Sequence, residues 1–124
     1  MTENLRIVEY TPDRIDECVE MFHKLYSAPP FAFEWLDREK SSKYLTNLSN
    51  IPGSLSYILI EENAVVGVCF GQKEDHFSNP GYKINEFLIE PDHQHEGLDT
   101  FFINELENWL RELGVKTMSL FRIS

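Results

Sequence analysis

The chain has 124 residues, 42% of them hydrophobic, and a formal net charge of −10. That length suits a single domain over residues 1–124 with one packed core, and so acidic a surface repels phosphate backbones, which argues against nucleic acid as a partner and leaves a cationic amine as the kind of substrate it could attract. No stretch approaches the ~20 apolar residues of a membrane span, and the start from Met1 to Arg6 lacks the apolar run of a signal peptide, so a cytoplasmic location with no membrane partner is expected.

In chain order, Leu5 to Tyr10 reads as a short first strand. Thr11-Pro12-Asp13 reads as a helix start, with Thr as cap and Pro at the first helical position. Ile15, Cys18, Val19, Phe22, Leu25 and Tyr26 follow at helical spacing and form one apolar face. Pro29-Pro30 ends that helix. An aromatic run, Phe31, Phe33 and Trp35, precedes Asp37, which is placed to cap a second helix carrying Tyr44, Leu45 and Leu48 inward. Leu55 to Ile60 and Ala64 to Phe70 are rich in apolar and β-branched residues, and Glu61-Glu62-Asn63 joins them as a hairpin. Gln72 to Gly81 is polar and reads as a loop, and Tyr82 to Glu90 as a fourth strand. The strongest helix follows, with Leu98, Phe101, Phe102, Leu106, Trp109, Leu110 and Leu113 in one stripe and Gly114 as its C-terminal cap. Lys116 to Leu120 is a final strand.

The order is therefore β-α-α-β-β-β-α-β, a mixed α/β domain in which the last helix crosses between two parallel, neighbouring strands. Cys18 and Cys69 fall on apolar faces and read as small core residues rather than as a disulfide.

The segment with chemical content runs from Asn85 to Asp99, where a strand gives way to a helix within a few residues. The first turn of a helix carries unpaired backbone N–H groups and the positive end of the dipole, so it can hold a phosphate. A glycine there lets the main chain come close to the anion. Here the strand ends in Ile89-Glu90-Pro91, and the turn reads Gln94-His95-Glu96-Gly97-Leu98-Asp99.

With these residues the chain resembles the GNAT superfamily of N-acetyltransferases. In that family a hydrophobic-x-Pro step leads into a Gln/Arg-x-x-Gly-x-Gly/Ala turn and an amphipathic helix. The resemblance runs from Ile7 to Leu120 and implies the GNAT-like acyl-CoA N-acyltransferase fold. It also implies acetyl-CoA as co-substrate and a small-molecule or peptide amine as acceptor. The main chain of Leu88 and Ile89 would pair with the pantetheine arm, where the fourth and fifth strands part. Backbone N–H groups from Gln94, His95, Glu96, Gly97, Leu98 and Asp99 would hold the pyrophosphate. Glu86 stands where many members carry a base carboxylate, which can accept the proton that the amine must lose. Pro30-Phe31-Ala32-Phe33 is similar to the loop that lines the acceptor side, which makes Phe31, Phe33 and Trp35 substrate-binding candidates.

Three features depart from the family pattern. Asp99 stands where Gly or Ala is usual, and a carboxylate beside the pyrophosphate costs on the order of a few kcal/mol at a surface dielectric, or about two decades of affinity. Glu96 adds a second unfavourable charge, while His95 helps only when it donates. The sequence ends at Ser124, where the family continues through another helix and two strands, including a Tyr that often protonates the leaving thiolate. The fifth strand is then expected to expose an edge through which two copies pair.

A second reading keeps the fold and loses the cofactor, leaving a binding or assembly module with weak or no CoA affinity. Asp92-His93-Gln94-His95-Glu96 has a His-x-His core that could chelate zinc or nickel, but no further ligand cluster accompanies it and no metal is expected. Neither a Gly-x-Ser-x-Gly elbow nor a Gly-x-x-x-x-Gly-Lys-Ser/Thr phosphate loop occurs.

Overall fold

The computed structural model describes residues 4–29, 31, 36–76, 79–90 and 97–120. Five strands, β1 (Leu5–Glu9), β2 (Tyr57–Glu61), β3 (Ala64–His76), β4 (Asn79–Ile89) and β5 (Thr117–Leu120), form one sheet in the order β1-β2-β3-β4-β5. The first three neighbouring pairs are antiparallel and β4–β5 is parallel. Helices α1 (Ile15–Ser27) and α2 (Arg38–Ser49) lie between β1 and β2, and α3 (Leu98–Glu112) crosses between β4 and β5. The β-α-α-β-β-β-α-β order and the parallel crossover are those the sequence predicts.

Apolar side chains fill both faces of the sheet. On one face Cys18, Phe22, Leu25 and Tyr26 of α1 and Leu45 of α2 pack on Ile58, Ile60, Val68, Phe70 and Leu88. On the other, Phe102, Leu106 and Leu110 of α3 pack on Tyr57, Leu59, Cys69, Ile84, Phe87 and Ile89. Strand β2 alternates between these two cores, so Tyr57 to Ile60 is apolar without a break, as a strand buried on both faces must be. Cys18 and Cys69 belong to opposite cores and are both free thiols.

The helix ends are only partly those of the sequence reading. Asp37 caps α2, its carboxylate accepting from the Lys40 N–H at 2.8 Å. Thr11 makes no such bond. A 3-10 turn, Pro12–Arg14, precedes α1, and the Thr11 hydroxyl donates to Asp13 instead. Gly114 ends α3 at φ 87°, its N–H bonded to the Arg111 carbonyl at 3.0 Å.

Two expectations need correction. The segment from Gln72 to Gly81 is not a loop, because β3 runs to His76 and β4 starts at Asn79, with Gln72 opposite Lys83 and Glu74 opposite Gly81. Main-chain hydrogen bonds extend the ladder whatever the side chains are, and buried Tyr82 and Ile84 hold it against the core. The apolar stripe of α3 is also narrower than expected. Trp109 is 42% and Leu113 52% exposed, and they line an open groove of about 600 Å³ with Glu9, Tyr57, Lys73 and Glu112. The next residue, Leu110, is still buried against the sheet, so Trp109 stands at the flank of the helix, where its indole meets the buried Tyr57 ring edge-on at 5.7 Å.

Candidate functional site

The register of β4 carries one extra residue. Phe70 lies opposite Glu86 but Gly71 lies opposite Ile84, so Asn85 has no partner in the ladder. Such a bulge reverses the alternation of the strand beyond it. Before it, Tyr82 and Ile84 face α3, and after it, Phe87 and Ile89 do. Glu86 and Leu88 are thereby turned to the face covered by α1 and α2, where Leu88 joins that core. Without the extra residue, Glu86 would point into the apolar layer beneath α3. The Asn85 amide donates to the Gln72 side chain at 3.0 Å, which holds the bulge to the neighbouring strand.

Glu86 is 1% exposed. Its Oε1 accepts from the Tyr44 hydroxyl at 2.8 Å and its Oε2 from the Tyr26 hydroxyl at 3.2 Å. A carboxylate taken out of water at such a place is costly unless its oxygens are hydrogen-bonded, and each phenol supplies one donor. Aromatic packing fixes the phenols in turn. Phe22 lies 4.7 Å from Tyr26 and 5.5 Å from Tyr44, ring centre to ring centre. Phe31 meets Tyr26 edge-on at 4.9 Å. The helices α1 and α2 thus each bring one hydroxyl to a single acidic residue of the sheet.

The structure brings Phe31 to the tyrosine that holds Glu86; Phe33 and Trp35 lie outside the described residues. Leu88 and Ile89 have buried side chains on opposite faces, so the strand's main chain is what either could offer a ligand. On the β5 side, β4 is paired from Gly81 to Ile84 among the described residues, short of Leu88 and Ile89. At the end of α1, Lys24 forms an ion pair with Glu90, just past β4.

Gly97 is the N-cap of α3, with φ 79° in the left-handed region that favours glycine. A Cβ built on it would meet nothing within 4 Å. The space beside this helix end is open among the described residues. Leu98 is buried and can contribute only main-chain atoms, whereas Asp99 is exposed in the first turn. Gln94, His95 and Glu96 lie outside the described residues, as does His93. Among the described residues no group of three or more His, Cys, Asp or Glu side chains could hold a metal ion. None of the described helices is long and apolar enough to cross a membrane.

Tyr26 and Tyr44 are the site residues that the sequence reading did not assign. Their spacing predicts inward-facing helix positions, which they are. A hydroxyl on such a position, opposite a strand carboxylate, is the signal that would have joined them to Glu86.

Comparison with known proteins bears on the family and the fold. The family model described as acetyltransferase (GNAT) family matches residues 19–123. A GNAT family acetyltransferase of Staphylococcus aureus superposes with a TM-score of 0.76 at 15% identity, over 96% of this chain and 87% of that one. A ribosomal-protein-alanine N-acetyltransferase of Brucella melitensis gives 0.73 at 11% identity, over 97% and 80%. An aminoglycoside N-acetyltransferase, AAC(6')-Iy, in complex with CoA gives 0.69 at 11% identity, over 95% and 76%. At these identities the likeness is one of fold. No curated protein sequence matches the chain significantly.

Proposed function

The chain belongs to the acetyltransferase (GNAT) family, and from that premise we propose that it transfers an acetyl group from acetyl-CoA to a primary amine, with Glu86 as general base. The observation that carries this reading is the buried Glu86 carboxylate, turned by the Asn85 bulge to the α1–α2 face and held by two phenols. An amine is protonated at neutral pH and cannot attack until it loses a proton. A fixed carboxylate near the cleft is a suitable acceptor for it.

Acetyl-CoA supplies the activated acetyl group as a thioester. The residues present fit it in two places. The end of α3 is open at left-handed Gly97, so main-chain N–H groups from Gln94 to Asp99 would hold the pyrophosphate. The main chain of Leu88 and Ile89, whose side chains are buried, would pair with the pantetheine arm. Phe31, with Phe33 and Trp35, would line the acceptor side. The net charge of −10 favours a cationic acceptor. Acceptors on the similar proteins include an aminoglycoside and the alanine of a ribosomal protein.

One observation favours a second reading, a binding module of the same fold. Asp99 is exposed in the first turn of α3, where its carboxylate suits the bare helix end and opposes an anion. Calorimetric titration with acetyl-CoA and with CoA separates the two readings. Binding in the micromolar range, followed by acetylation of spermine, tobramycin or an alanine-starting peptide, supports the enzyme. Under this reading Glu86→Gln lowers kcat by at least ~100-fold and leaves CoA binding unchanged. No binding at millimolar ligand selects the binding module.

A further inference from the structure

We propose that the acceptor's proton reaches Glu86 through the Tyr44 hydroxyl, and that Tyr26 is a positioning residue that holds the carboxylate for this transfer; the proposal rests on the acetyltransfer reading above. Glu86 is 1% and Tyr26 2% exposed, so a substrate amine cannot lie against the carboxylate without displacing what covers it. Tyr44 is only half-buried, and its hydroxyl is 2.8 Å from Glu86 Oε1. Of the two phenols that hold Glu86, Tyr44 is the one whose side chain is partly exposed. A phenol suits the task, because its oxygen can accept one proton as it donates another.

The transfer balances as follows. The acceptor ammonium gives a proton to Tyr44 Oη while the Tyr44 proton passes to Glu86 Oε1. Tyr44 ends neutral, Glu86 ends as the carboxylic acid, and the nitrogen gains a lone pair. That lone pair forms the C–N bond to the acetyl carbon, and the C–S bond breaks. The nitrogen's second proton passes to the departing thiolate, giving the free thiol of CoA, and Glu86 returns its own proton to solvent along the same path. Tyr26, bonded to Oε2 at 3.2 Å and wedged between Phe22 and Phe31, keeps Oε1 aimed at Tyr44.

The test compares Tyr44→Phe, Tyr26→Phe and Glu86→Gln in the full chain, with acetyl-CoA and with spermine, tobramycin and an alanine-starting peptide as acceptors. The expected result is a ~100-fold fall in kcat for Tyr44→Phe with KM for acetyl-CoA unchanged, and a fall of ~10-fold for Tyr26→Phe. Difluorotyrosine at position 44 keeps the shape and acidifies the phenol. It should restore turnover and shift the pH profile of kcat, which a purely structural residue would not do. A second readout needs no turnover. The infrared carboxylate stretch of the ligand-free protein, identified by its loss in Glu86→Gln, should move in both Phe variants. Wild-type kcat in Tyr44→Phe where Glu86→Gln has lost it overturns the relay while sparing Glu86 as base. An infrared band that Tyr44→Phe leaves in place overturns it as well. Full activity in Glu86→Gln instead overturns the base assignment itself.

Discussion

On the acetyltransfer reading, Asp99 is a single side chain whose effect would have opposite signs with and without a bound pyrophosphate. In the first turn of α3 a carboxylate complements the helix dipole, which is worth about 0.3–1 kcal/mol. Beside a bound pyrophosphate the same charge is repulsive, and solvent screening at an exposed position moderates the cost. Asp99→Gly should therefore tighten CoA about tenfold in calorimetry while lowering the thermal midpoint of the free protein slightly; unchanged affinity would remove this turn from the pyrophosphate site. The place of Asp99 in the first turn of a helix is legible in the sequence, because it depends on one residue at one helix end. The chemistry around Glu86 was only half legible. Its place on a strand could be read, but its partners Tyr26 and Tyr44 stand 60 and 42 residues away along the chain, and no local pattern links a helix hydroxyl to a strand carboxylate across such distances.

At the scale of elements, the same limit explains the bulge. A one-residue insertion in a ladder is a relation between two strands, and β4 alone reads as an ordinary strand with Ile84, Phe87 and Ile89 among its apolar residues. The length of the β3–β4 hairpin is illegible for another reason: polar residues from Gln72 to Gly81 have the side-chain character of a loop, while the ladder that joins them is made by the main chain. Gly71 marks the point where this extension meets the body. A Cβ there would stand 2.3 Å from the Tyr82 hydroxyl and 2.8 Å from the Lys83 carbonyl oxygen. Tyr82 cannot simply retreat, since its hydroxyl donates to the Leu55 carbonyl. Gly71→Ala should destabilise the fold by about 1–3 kcal/mol, seen as a lower urea midpoint with an unchanged slope; a wild-type midpoint would mean that the hairpin shifts freely at this point. The helices, by contrast, were plain in the sequence, because their spacing of apolar residues is a property of each segment alone. Even there the stripe of α3 is narrower than its spacing predicts, since periodicity does not say how much of the helix the neighbouring sheet covers.

The molecule as a whole is a sheet with a core on either face, and both cores hold groups that burial keeps protonated. Desolvation pushes the thiols of Cys18 and Cys69 from their ordinary 9.0 up to about 12. It likewise lifts the Tyr57 phenol from 10.0 to about 12. In the unfolded chain these groups ionise at their ordinary values, whereas the fold binds their protons more tightly. The stability they contribute is thus complete below about pH 9 and is lost as pH climbs towards about 12. Urea midpoints should fall steadily over that window, and at pH 8 neither thiol should react with a thiol reagent until the chain unfolds. A flat alkaline profile would show that the cores admit water. The strand order, finally, bears on how quickly this architecture assembles. Each strand lies beside its successor in the chain, so no strand has to thread between two that have already met. The β3–β4 hairpin closes locally at small entropic cost, and α3 brings β5 back by a short excursion, whereas β1 must find β2 across both of the first helices. Growth outward from the hairpin, with β1 docking last, is the route that defers the longest loop closure.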